Sequence, residues 1–411
     1  MRTLSLATAM MRHDVAIVGG GCVGLSVAKH LAAATDLDVA VLEKEHHLAS
    51  HQSGRNSGVL HPGFNYPPGS KKARFATEGT ARMKEYCDAH DIPCEEWGVL
   101  VVAKNDDEAR RLDELADQAD ANGVAYERLD SQAAIREHEP YAEGQAALYA
   151  PEAASVDAEQ YVYALAKEVR ELGVTLYTGY EVQQLTRTPA GYRLETSNGQ
   201  FDVSMLVNAA GLHADTLAHQ VGVGEEYQVV PFRGEYYEVR PERAELCETM
   251  IYPTPDPELP FLGVHYTRRA DGKVIVGPNA VLAFGREAYE NTDLNPAELF
   301  ETLTYEGFRK LLTSRKMLGV AWDELNKSYR KSKFVEASQR LVPDVRGEDL
   351  NKSYAGIRAQ LVSDDGELVK DPLFVERDDA VHVLNAVSPG MTSSLPFGEH
   401  IAETIADKHD A

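Results

Sequence analysis

The first clear change of pattern lies near the start of the chain, where three segments with different spacings of apolar residues follow one another. Residues 15–18 are continuously apolar, as in a buried strand, and residues 25–34 place apolar side chains at helical spacing. A second apolar run, 39–42, ends at the acidic Glu43. The order predicts a strand, a helix and a second, parallel strand.

The turn between the first strand and the helix contains the spacing G-x-G-x-x-G, with Gly19, Gly21 and Gly24. Gly19 permits the tight turn, Gly21 allows backbone N–H groups to approach a pyrophosphate, and Gly24 allows close packing of helix on strand. Glu43 lies 24 residues after Gly19, where a carboxylate accepts both ribose hydroxyls and disfavours a 2′-phosphate. A dinucleotide other than NADP is therefore predicted.

The remaining pattern alternates helices with strands and then becomes mainly strand. The predicted helices are 73–90, 106–122, 131–139, 158–172, 213–221, 296–314, 322–336 and 395–407. The predicted strands after the first two are 97–103, 125–129, 148–150, 174–177, 181–188, 191–197, 199–203, 205–211, 228–239, 250–253, 262–268, 273–278 and 381–384, with 354–371 part strand and part loop. Residues 51–73 form a long polar loop.

These elements predict an α/β fold with a Rossmann-like dinucleotide-binding domain interleaved with an α+β substrate domain that carries a mainly antiparallel sheet. The strand 205–211 matches a strand that returns to the nucleotide. With one fingerprint and no separate NAD(P)H domain, a flavin is favoured. The predicted division assigns 11–80, 150–221 and 346–411 to cofactor binding, and 81–149 and 222–345 to the substrate domain.

Composition restricts the partners. Of 411 residues, 65 are Asp or Glu and 41 are Lys or Arg, a formal net charge of −24 that repels nucleic acid and anionic membrane surfaces. The excess acid fits a solvated surface or, more sharply, adaptation to a high-salt cytoplasm. The four cysteines form no metal-spaced cluster, so no metal and a reduced, intracellular setting are expected. Residues 1–13 lack a signal-peptide core and are predicted to be a short extension.

Several longer phrases carry a specific resemblance. H-Q-S-G-R-N-S-G-V-L-H, P-G-S-K-K-A, V-P-F-R-G-E-Y-Y, P-F-L-G-V-H-Y-T-R, Y-A-G-I-R-A-Q-L and N-A-V-S-P-G-M-T-S-S-L occur in this order between about Met11 and the C-terminus. They resemble the L-2-hydroxyglutarate oxidase/dehydrogenase family of the FAD-dependent D-amino-acid oxidase-like superfamily. The resemblance implies oxidation of L-2-hydroxyglutarate to 2-oxoglutarate by FAD, which then passes electrons to oxygen or to an electron-transport acceptor. Arg55 departs from the family phrase, where many members have His.

The fingerprint and the resemblance together predict the cofactor-binding residues. They are Gly19, Gly21, Gly24, Glu43, Lys44, Ser53, Arg55, Asn56, Ser57, Gly58, Ala210, Gly211, Gly390, Met391, Thr392 and Ser393. The loop 388–394 and the helix after it are suited to give backbone N–H donors to the flavin N1–C2=O edge.

Oxidation of a 2-hydroxy acid also needs a proton acceptor and cations for the carboxylates. His61 and His265 are the candidate acceptors, without a ranking, because an imidazole accepts a proton near neutral pH. The candidate carboxylate ligands are Arg233, Arg358 and Arg268, followed by Lys72 and Arg55. Each arginine can alternatively be a surface ion pair. Tyr237, Tyr252 and Tyr266 cap the pocket or only pack.

The sequence leaves several alternatives open. The substrate can be another small molecule, such as an amino acid, another 2-hydroxy acid or glycerol 3-phosphate, and a non-catalytic or RNA-modifying flavoprotein is the alternative from another class. The electron acceptor, the oligomeric state and the mode of FAD attachment are also open. The expected location is the cytoplasm, either free or peripheral to the inner face of the membrane, with no transmembrane segment.

Overall fold

The computed structural model describes residues 10–256, 261–313, 315–386 and 388–410. The strands are β1 Met10–Val18, β2 Val39–Glu43, β3 Val59–Leu60, β4 Cys94–Glu95, β5 Val99–Ala103, β6 Glu127–Leu129, β7 Ala146–Ala150, β8 Ala154–Val156, β9 Thr175–Thr178, β10 Val182–Thr188, β11 Gly191–Thr196, β12 Gly199–Asn208, β13 Tyr227–Val239, β14 Met250–Pro253, β15 His265–Arg268, β16 Val274–Gly277, β17 Val281–Leu282, β18 Leu350–Ser363, β19 Leu373–Arg377 and β20 Ala380–Asn385.

Eleven α-helices lie within the described residues. They are α1 Cys22–Ala34, α2 Lys71–Ala89, α3 Asp106–Asn122, α4 Gln132–His138, α5 Ala158–Glu171, α6 Ala214–His219, α7 Pro296–Thr304, α8 Glu306–Leu312, α9 Arg315–Tyr329, α10 Lys331–Gln339 and α11 Ser394–Asp410. No helix in the described part of the chain is both long and apolar enough to cross a membrane. The first nine residues of the predicted extension 1–13 lie outside the described residues.

One sheet has the order β10-β11-β12-β1-β2-β9, with β20 on β12 and β19 on β20. Its centre is parallel, since β1 runs parallel to both β12 and β2. Helices α1, α5 and α11 pack together against it, over a core that includes Leu25, Val41, Val162 and Ile405. The predicted Rossmann-like part of the fold is confirmed.

The second large sheet has the order β17-β13-β16-β15-β14-β5-β7-β6, with β18 paired along β13. All its ladders are antiparallel except β14 on β5. Its strands come from residues 99–150 and 227–363, which lie between the three chain segments that form the first sheet. The two sheets are therefore interleaved, and the predicted fold class is confirmed. The predicted domain boundaries stay a prediction.

Four predicted elements differ from the structure. The strands predicted at 199–203 and 205–211 are one strand, β12, because its pairing with β1 continues without a break from Gln200 to Asn208. The helix predicted at 296–314 is interrupted at Tyr305, whose extended backbone (φ −61°, ψ 126°) separates α7 from α8. The helix predicted at 322–336 is divided between α9 and α10 at Arg330. The short strands β3, β4, β8 and β17 and the strand β19 were not predicted.

Candidate active site

The glycine turn after β1 has the geometry that its spacing predicts. Gly19 adopts φ +110°, and a Cβ there would lie 2.3 Å from the Ala209 carbonyl oxygen. A Cβ on Gly24 would lie 2.0 Å from the Gly19 carbonyl oxygen, so α1 packs directly on the turn. Gly21 begins α1 without a side-chain cap. The helix N-terminus therefore presents backbone donors and its positive dipole end to the space above the turn.

Glu43 stands at the end of β2, beside this turn. Its carboxylate accepts hydrogen bonds from the backbone N–H groups of Gly20 (2.8 Å) and Glu45 (2.9 Å). These bonds fix the carboxylate at the rim of a cavity of about 420 Å³. The position agrees with the ribose-binding role predicted from the sequence.

The first cavity lies along the ends of β1, β2 and β12. Its lining includes Gly19, Gly21, Glu43, Lys44, Ser53, Ala210 and Gly211. The positive charge of Lys44 is balanced here, because its ammonium group forms ion pairs with Glu45 and Glu287. The cavity is also lined by His51, Gln52, Tyr180 and His213, which were not predicted. His51 and Gln52 begin the phrase H-Q-S-G-R-N-S-G, whereas no motif marks Tyr180 or His213, which reach the cavity only through the fold.

A second cavity of about 280 Å³ continues from the first and shares with it Gly21, Gln52, Ser53, Ala209 and Gly211. Predicted residues that line it are Arg55, Asn56, Ser57, His61, His265, Arg358, Gly390 and Met391. The polar loop after β2 forms one wall, the end of β20 and the loop before α11 form another, and β13, β15 and β18 form the roof. One continuous groove thus joins the dinucleotide turn to the antiparallel sheet.

The roof shows a strict alternation along β13. Phe232, Gly234 and Tyr236 face the cavity. Their neighbours Arg233 and Tyr237 lie on the opposite face, because successive side chains of a strand point to opposite sides. On β18, Arg358 is the cross-strand partner of Phe232 and Gly356 of Gly234, which places these pairs on the cavity face.

Arg358 is a cation without an ionic partner. Its guanidinium lies 5.0 Å from the ring centre of Phe261, and within the described part of the chain it forms neither a salt bridge nor a hydrogen bond. Burial lowers the pKa of Arg358, and the guanidinium nevertheless stays charged because its ordinary pKa is so high. An unpaired cation in a cavity is costly unless an anion binds there.

His61 and His265 line the same cavity, and both lie near Tyr252, whose ring centre is 6.4 Å from that of His61 and 4.3 Å from that of His265. Burial is the main cause that lowers the pKa of each to about 4, and the charge of Arg358 lowers both further. His61 is also affected by His265 and Lys72. At neutral pH both imidazoles are therefore uncharged.

The hydrogen bonds of the two imidazoles differ. Nδ1 of His265 lies 2.8 Å from the Gly263 carbonyl oxygen, which can only accept, so Nδ1 carries the proton and Nε2 keeps a free lone pair. The His61 ring has no hydrogen-bond partner within the described residues, and its backbone is held by Thr80 and Thr392. Each ring can accept a proton.

Two predicted carboxylate ligands, Arg233 and Arg268, do not line the cavity. Arg233 donates to the carbonyl oxygens of Ala288 (3.3 Å) and Glu290 (2.8 Å), on the far face of β13. Arg268 lies over the Trp97 ring and donates to the Cys247 carbonyl oxygen at 3.0 Å. Both arginines hold the sheet to neighbouring segments, and the alternation along their strands directs them away from the cavity.

Lys72 lies near the cavity but behind its wall. Its ammonium group is 4.9 Å from the Tyr66 ring centre and donates to the Lys370 carbonyl oxygen at 3.4 Å. Burial, followed by the charge of Arg358, lowers the pKa of Lys72 to about 8. Lys72 therefore adds to the positive potential around His61, and direct substrate binding by this residue stays a prediction.

The loop 51–58 supports the turn of α1. Ser53 Oγ accepts from the Cys22 backbone N–H at 3.0 Å, and Asn56 holds the loop through the Gln52 and Ser53 carbonyl oxygens. Gly58 has φ +77°, and a Cβ there would lie 2.5 Å from the Val156 carbonyl oxygen. Arg55 lies over the Tyr289 ring, 4.4 Å from its centre. Gly58 is therefore a packing position under the cavity wall.

The segment before α11 divides into lining and supporting residues. Gly390 and Met391 line the second cavity, as predicted. Thr392 and Ser393 are buried beneath it, where Thr392 Oγ1 donates to the Val59 carbonyl oxygen at 3.2 Å. These two therefore position the loop rather than line the cavity. Tyr237 and Tyr266 do not cap the cavity: Tyr237 packs on Phe334, and Tyr266 donates to the Ser338 carbonyl oxygen.

Residues that line the second cavity but were not predicted include Tyr236, Phe261 and Asn279. Tyr236 stacks on Tyr354, with ring centres 4.9 Å apart, and Asn279 is held by Glu235 through two hydrogen bonds of 2.8 and 2.7 Å. Tyr236 was available in the phrase R-G-E-Y-Y, where the parity of the strand alone decides which tyrosine faces the site.

The groove fits FAD. The glycine turn, which a single Cβ would obstruct, and the start of α1 without a side-chain cap suit a pyrophosphate. The fixed carboxylate beside them suits an adenosine ribose. The continuation into a second cavity gives room for a flavin ring beside Met391 and below the sheet. Gly19, Gly21, Glu43, Ser53 and Gly211 would hold the cofactor.

Comparisons with known proteins agree. The family model described as "FAD dependent oxidoreductase", DAO, matches residues 14–404. The L-2-hydroxyglutarate dehydrogenase of Indibacter alkaliphilus is 39% identical over 96% of this chain and 98% of its own length. That of Escherichia coli K12 is 38% identical over 96% and 93%, and the mitochondrial enzyme of Bos taurus is 36% identical over 96% and 89%.

Solved structures share the fold. The FAD-bound L-α-glycerophosphate oxidase of Mycoplasma pneumoniae superposes with a TM-score of 0.77 at 23% identity, covering 97% of this chain and 95% of that chain. The glycine oxidase of Geobacillus kaustophilus gives 0.72 at 22% identity, covering 96% and 95%. With FAD as its cofactor, the chain belongs to the DAO family of FAD-dependent oxidoreductases, together with the L-2-hydroxyglutarate dehydrogenases.

Proposed function

We propose that this protein oxidises L-2-hydroxyglutarate to 2-oxoglutarate. Full-length relatives in bacteria and animals are named L-2-hydroxyglutarate dehydrogenase. The observation that carries the proposal is Arg358, a cation without an ionic partner in a cavity that also contains His61 and His265. A 2-hydroxy acid supplies what each of these groups lacks: a carboxylate for the cation and a hydroxyl proton for an imidazole.

Arg358 binds the carboxylate next to the reacting carbon. Its guanidinium can form two parallel hydrogen bonds with a carboxylate, which fixes the orientation of the hydroxyl group and of the C–H bond. Phe261 and Tyr236 form apolar walls beside it and exclude water, which strengthens this charge pair. We assign the second carboxylate to the positive region between Arg358 and Lys72.

The hydroxyl proton passes to an imidazole. FAD, when bound, accepts the hydride from the carbon that carries the hydroxyl. His61 and His265 are uncharged at neutral pH and each has a nitrogen lone pair available to take the proton. The positive charge of Arg358 lowers the pKa of both imidazoles, and a bound dianion offsets this charge. Substrate binding therefore raises the pKa of both imidazoles, which makes them better proton acceptors.

We further propose that the final electron acceptor is either oxygen or an electron-transport carrier. We further propose a reducing, intracellular setting, since all four cysteines are free thiols. Mixing the reduced protein with air-saturated buffer or with a soluble quinone in a stopped-flow instrument distinguishes the two acceptors by the rate at which the flavin band returns.

The substrate is tested by anaerobic reduction of the purified yellow protein. L-2-hydroxyglutarate is compared with D-2-hydroxyglutarate, L-lactate, glycine and glycerol 3-phosphate, and bleaching of the flavin band is followed. We expect rapid bleaching with L-2-hydroxyglutarate alone. Faster bleaching by glycine or glycerol 3-phosphate would assign another substrate to the same fold. A protein that none of these compounds bleaches would contradict the proposal.

A further inference from the structure

A short irregular segment between β17 and α7, residues 286–289, reaches the edge of the first cavity. Apart from Glu287, the residues that line this cavity all belong to the segments 18–53 and 180–220 of the Rossmann-like part. Glu287 is therefore the one contribution that the described chain after residue 220 makes to the lining. We call residues 286–289 the strap.

The first residue of the strap is a fixed anchor. The Arg286 guanidinium forms two hydrogen bonds with the Asp215 carboxylate, of 2.6 and 2.9 Å, and it also donates to the Leu212 carbonyl oxygen. The side chains of Arg286 and Asp215 are only 4% and 1% exposed. Breaking a buried ion pair of this kind would leave an unpaired charge in the interior, so this end of the strap stays in place.

The next contact of the strap is partly exposed to water. The Glu287 carboxylate forms an ion pair with Lys44 at 2.6 Å and accepts a hydrogen bond from His213 Nε2 at 2.8 Å. The hydrogen bond from His213 is the main cause that lowers the pKa of Glu287 to about 2, so the carboxylate is charged at neutral pH. The side chains of Lys44 and Glu287 are 24% and 38% exposed, and ion pairs with such exposure are weak singly and screened by salt.

Tyr289 holds the other end of the strap. Its hydroxyl group lies 2.7 Å from His51 Nδ1, and the two rings are stacked with their centres 5.9 Å apart. The Arg55 guanidinium lies 4.4 Å from the centre of the Tyr289 ring. His51 and Arg55 belong to the polar loop after β2, and His51 lines the first cavity. We call the polar contacts of Glu287 and Tyr289 the latch.

The strap connects the two parts of the fold around the cofactor cavity. Its contacts reach three segments that line the cavity, namely the end of β2, the loop after β2 and the segment that follows β12. On the other side β13 holds the strap, because Arg233 donates to the carbonyl oxygens of Ala288 at 3.3 Å and Glu290 at 2.8 Å. The rim of the cavity therefore combines a fixed anchor with contacts that can open.

We propose that the strap controls the exchange of FAD, which enters and leaves the first cavity when the latch opens. Each latch contact joins two groups of the protein, so none of them requires the cofactor. An interaction that is equally present in the loaded and the empty protein changes the rates of binding and release by the same factor and leaves the affinity unchanged. Loss of a residue that binds FAD directly would instead speed release and weaken the affinity.

The proposal is tested with the double variant E287Q/Y289F. This variant keeps the shape of both side chains but removes the negative charge that pairs with Lys44 and the hydroxyl group that contacts His51. Release is measured by chasing radiolabelled FAD from the loaded protein with unlabelled FAD, and affinity by flavin fluorescence during dilution. We expect release to be about tenfold faster, since two polar contacts are lost, and the affinity to change by less than about twofold.

Glu290→Gln is the matched control. Glu290 lies directly after the strap but pairs with Lys352 at 3.0 Å and does not line the cavity, so release should not change. Salt gives a second measurement. Added NaCl should speed release from the unaltered protein and the control, because ions screen the pair of Lys44 and Glu287, and should affect the double variant much less. Circular dichroism checks that each protein is folded under these conditions.

Three outcomes would overturn the proposal. Release from E287Q/Y289F at the unaltered rate would show that the latch does not limit exchange. Faster release with an equally weakened affinity would show that the altered side chains hold the cofactor directly. Equally fast release from Glu290→Gln would show a general loosening of the segment. None of these results depends on which substrate the protein oxidises.

Discussion

The two connected cavities bind their ligands by different physical means. The first is built from backbone: a glycine turn, a helix N-terminus and the Glu43 carboxylate held by N–H groups, while its lysine, Lys44, is neutralised by Glu45 and Glu287. The second is built from side chains, with Arg358 lacking an ionic partner in the described chain and two uncharged imidazoles. The first suits a constant cofactor, and the second can select a substrate.

The largest expected effect is on the side-chain cavity. The double variant H61N/H265N should lower the rate of flavin reduction by about 10³-fold, because a positioned proton acceptor contributes in this range. Anaerobic stopped-flow bleaching by L-2-hydroxyglutarate measures it, and the two single variants show which ring is the acceptor. His138→Asn is the control, since His138 pairs with Glu127 away from the cavity. An unchanged rate in the double variant would remove both histidines from the chemistry.

Arg358→Gln should lower kcat/KM by about 10²-fold, since the substrate carboxylate loses a charged, doubly hydrogen-bonded partner. Steady-state kinetics measure the loss. Arg268→Gln is the matched comparison: Arg268 is also in the antiparallel sheet but lies on Trp97, outside the cavity, so kcat/KM should change little. A similar loss in both variants would show that folding of the sheet, rather than the position of Arg358, is responsible.

The backbone cavity should respond to an added methyl group. Gly24→Ala places a Cβ 2.0 Å from the Gly19 carbonyl oxygen, so α1 must move away from the turn. Overpacking of this kind costs about 1–3 kcal/mol, and FAD affinity should fall about tenfold. Flavin fluorescence during dilution measures the affinity. Gly319→Ala is the control, because no atom lies within 4 Å of a Cβ there; equal affinity in both variants would contradict the packing role of Gly24.

The smallest effect is a change in pKa. Lys72→Gln removes one of the positive charges that lower the pKa of His61, so this pKa should rise from about 4 toward its ordinary value of 6.5. The pKa of His265, to which Lys72 does not contribute, should stay near 4. Titration of ¹⁵N-labelled histidines by NMR measures both. Equal shifts at the two rings, or none, would contradict the assigned positive potential.

The sequence predicted the backbone cavity more fully than the side-chain cavity, for a physical reason. A glycine turn is local: Gly19, Gly21 and Gly24 are constrained by neighbours a few residues away, so their spacing reveals the geometry. Helix α3 was likewise predicted at its observed bounds, and the structure shows a local signal at each end: Asn105 caps its start and Gly123, at φ +70°, ends it. Local signals of this kind can be read without knowing the fold.

Which residues line the substrate cavity depends on which face of each strand is turned inward. A shift of one residue along a strand exchanges the two faces. Arg233 and Tyr237 were predicted on β13, whereas Phe232, Gly234 and Tyr236 face the cavity. Both faces of β13 are largely buried, so the hydrophobic pattern does not distinguish them. His265 and Arg358 were predicted and do face the cavity. The residues of β13 that face the cavity can be identified only when its pairing with β18 is known.

The hydrogen bond between Glu324 and the Ala280 backbone joins α9 directly to the wall of the second cavity. A movement of the helix therefore moves the cavity wall, and any coupling between α9 and the substrate is equal in both directions. The outer face of the protein is thus connected through one carboxylate to the place where the substrate is selected.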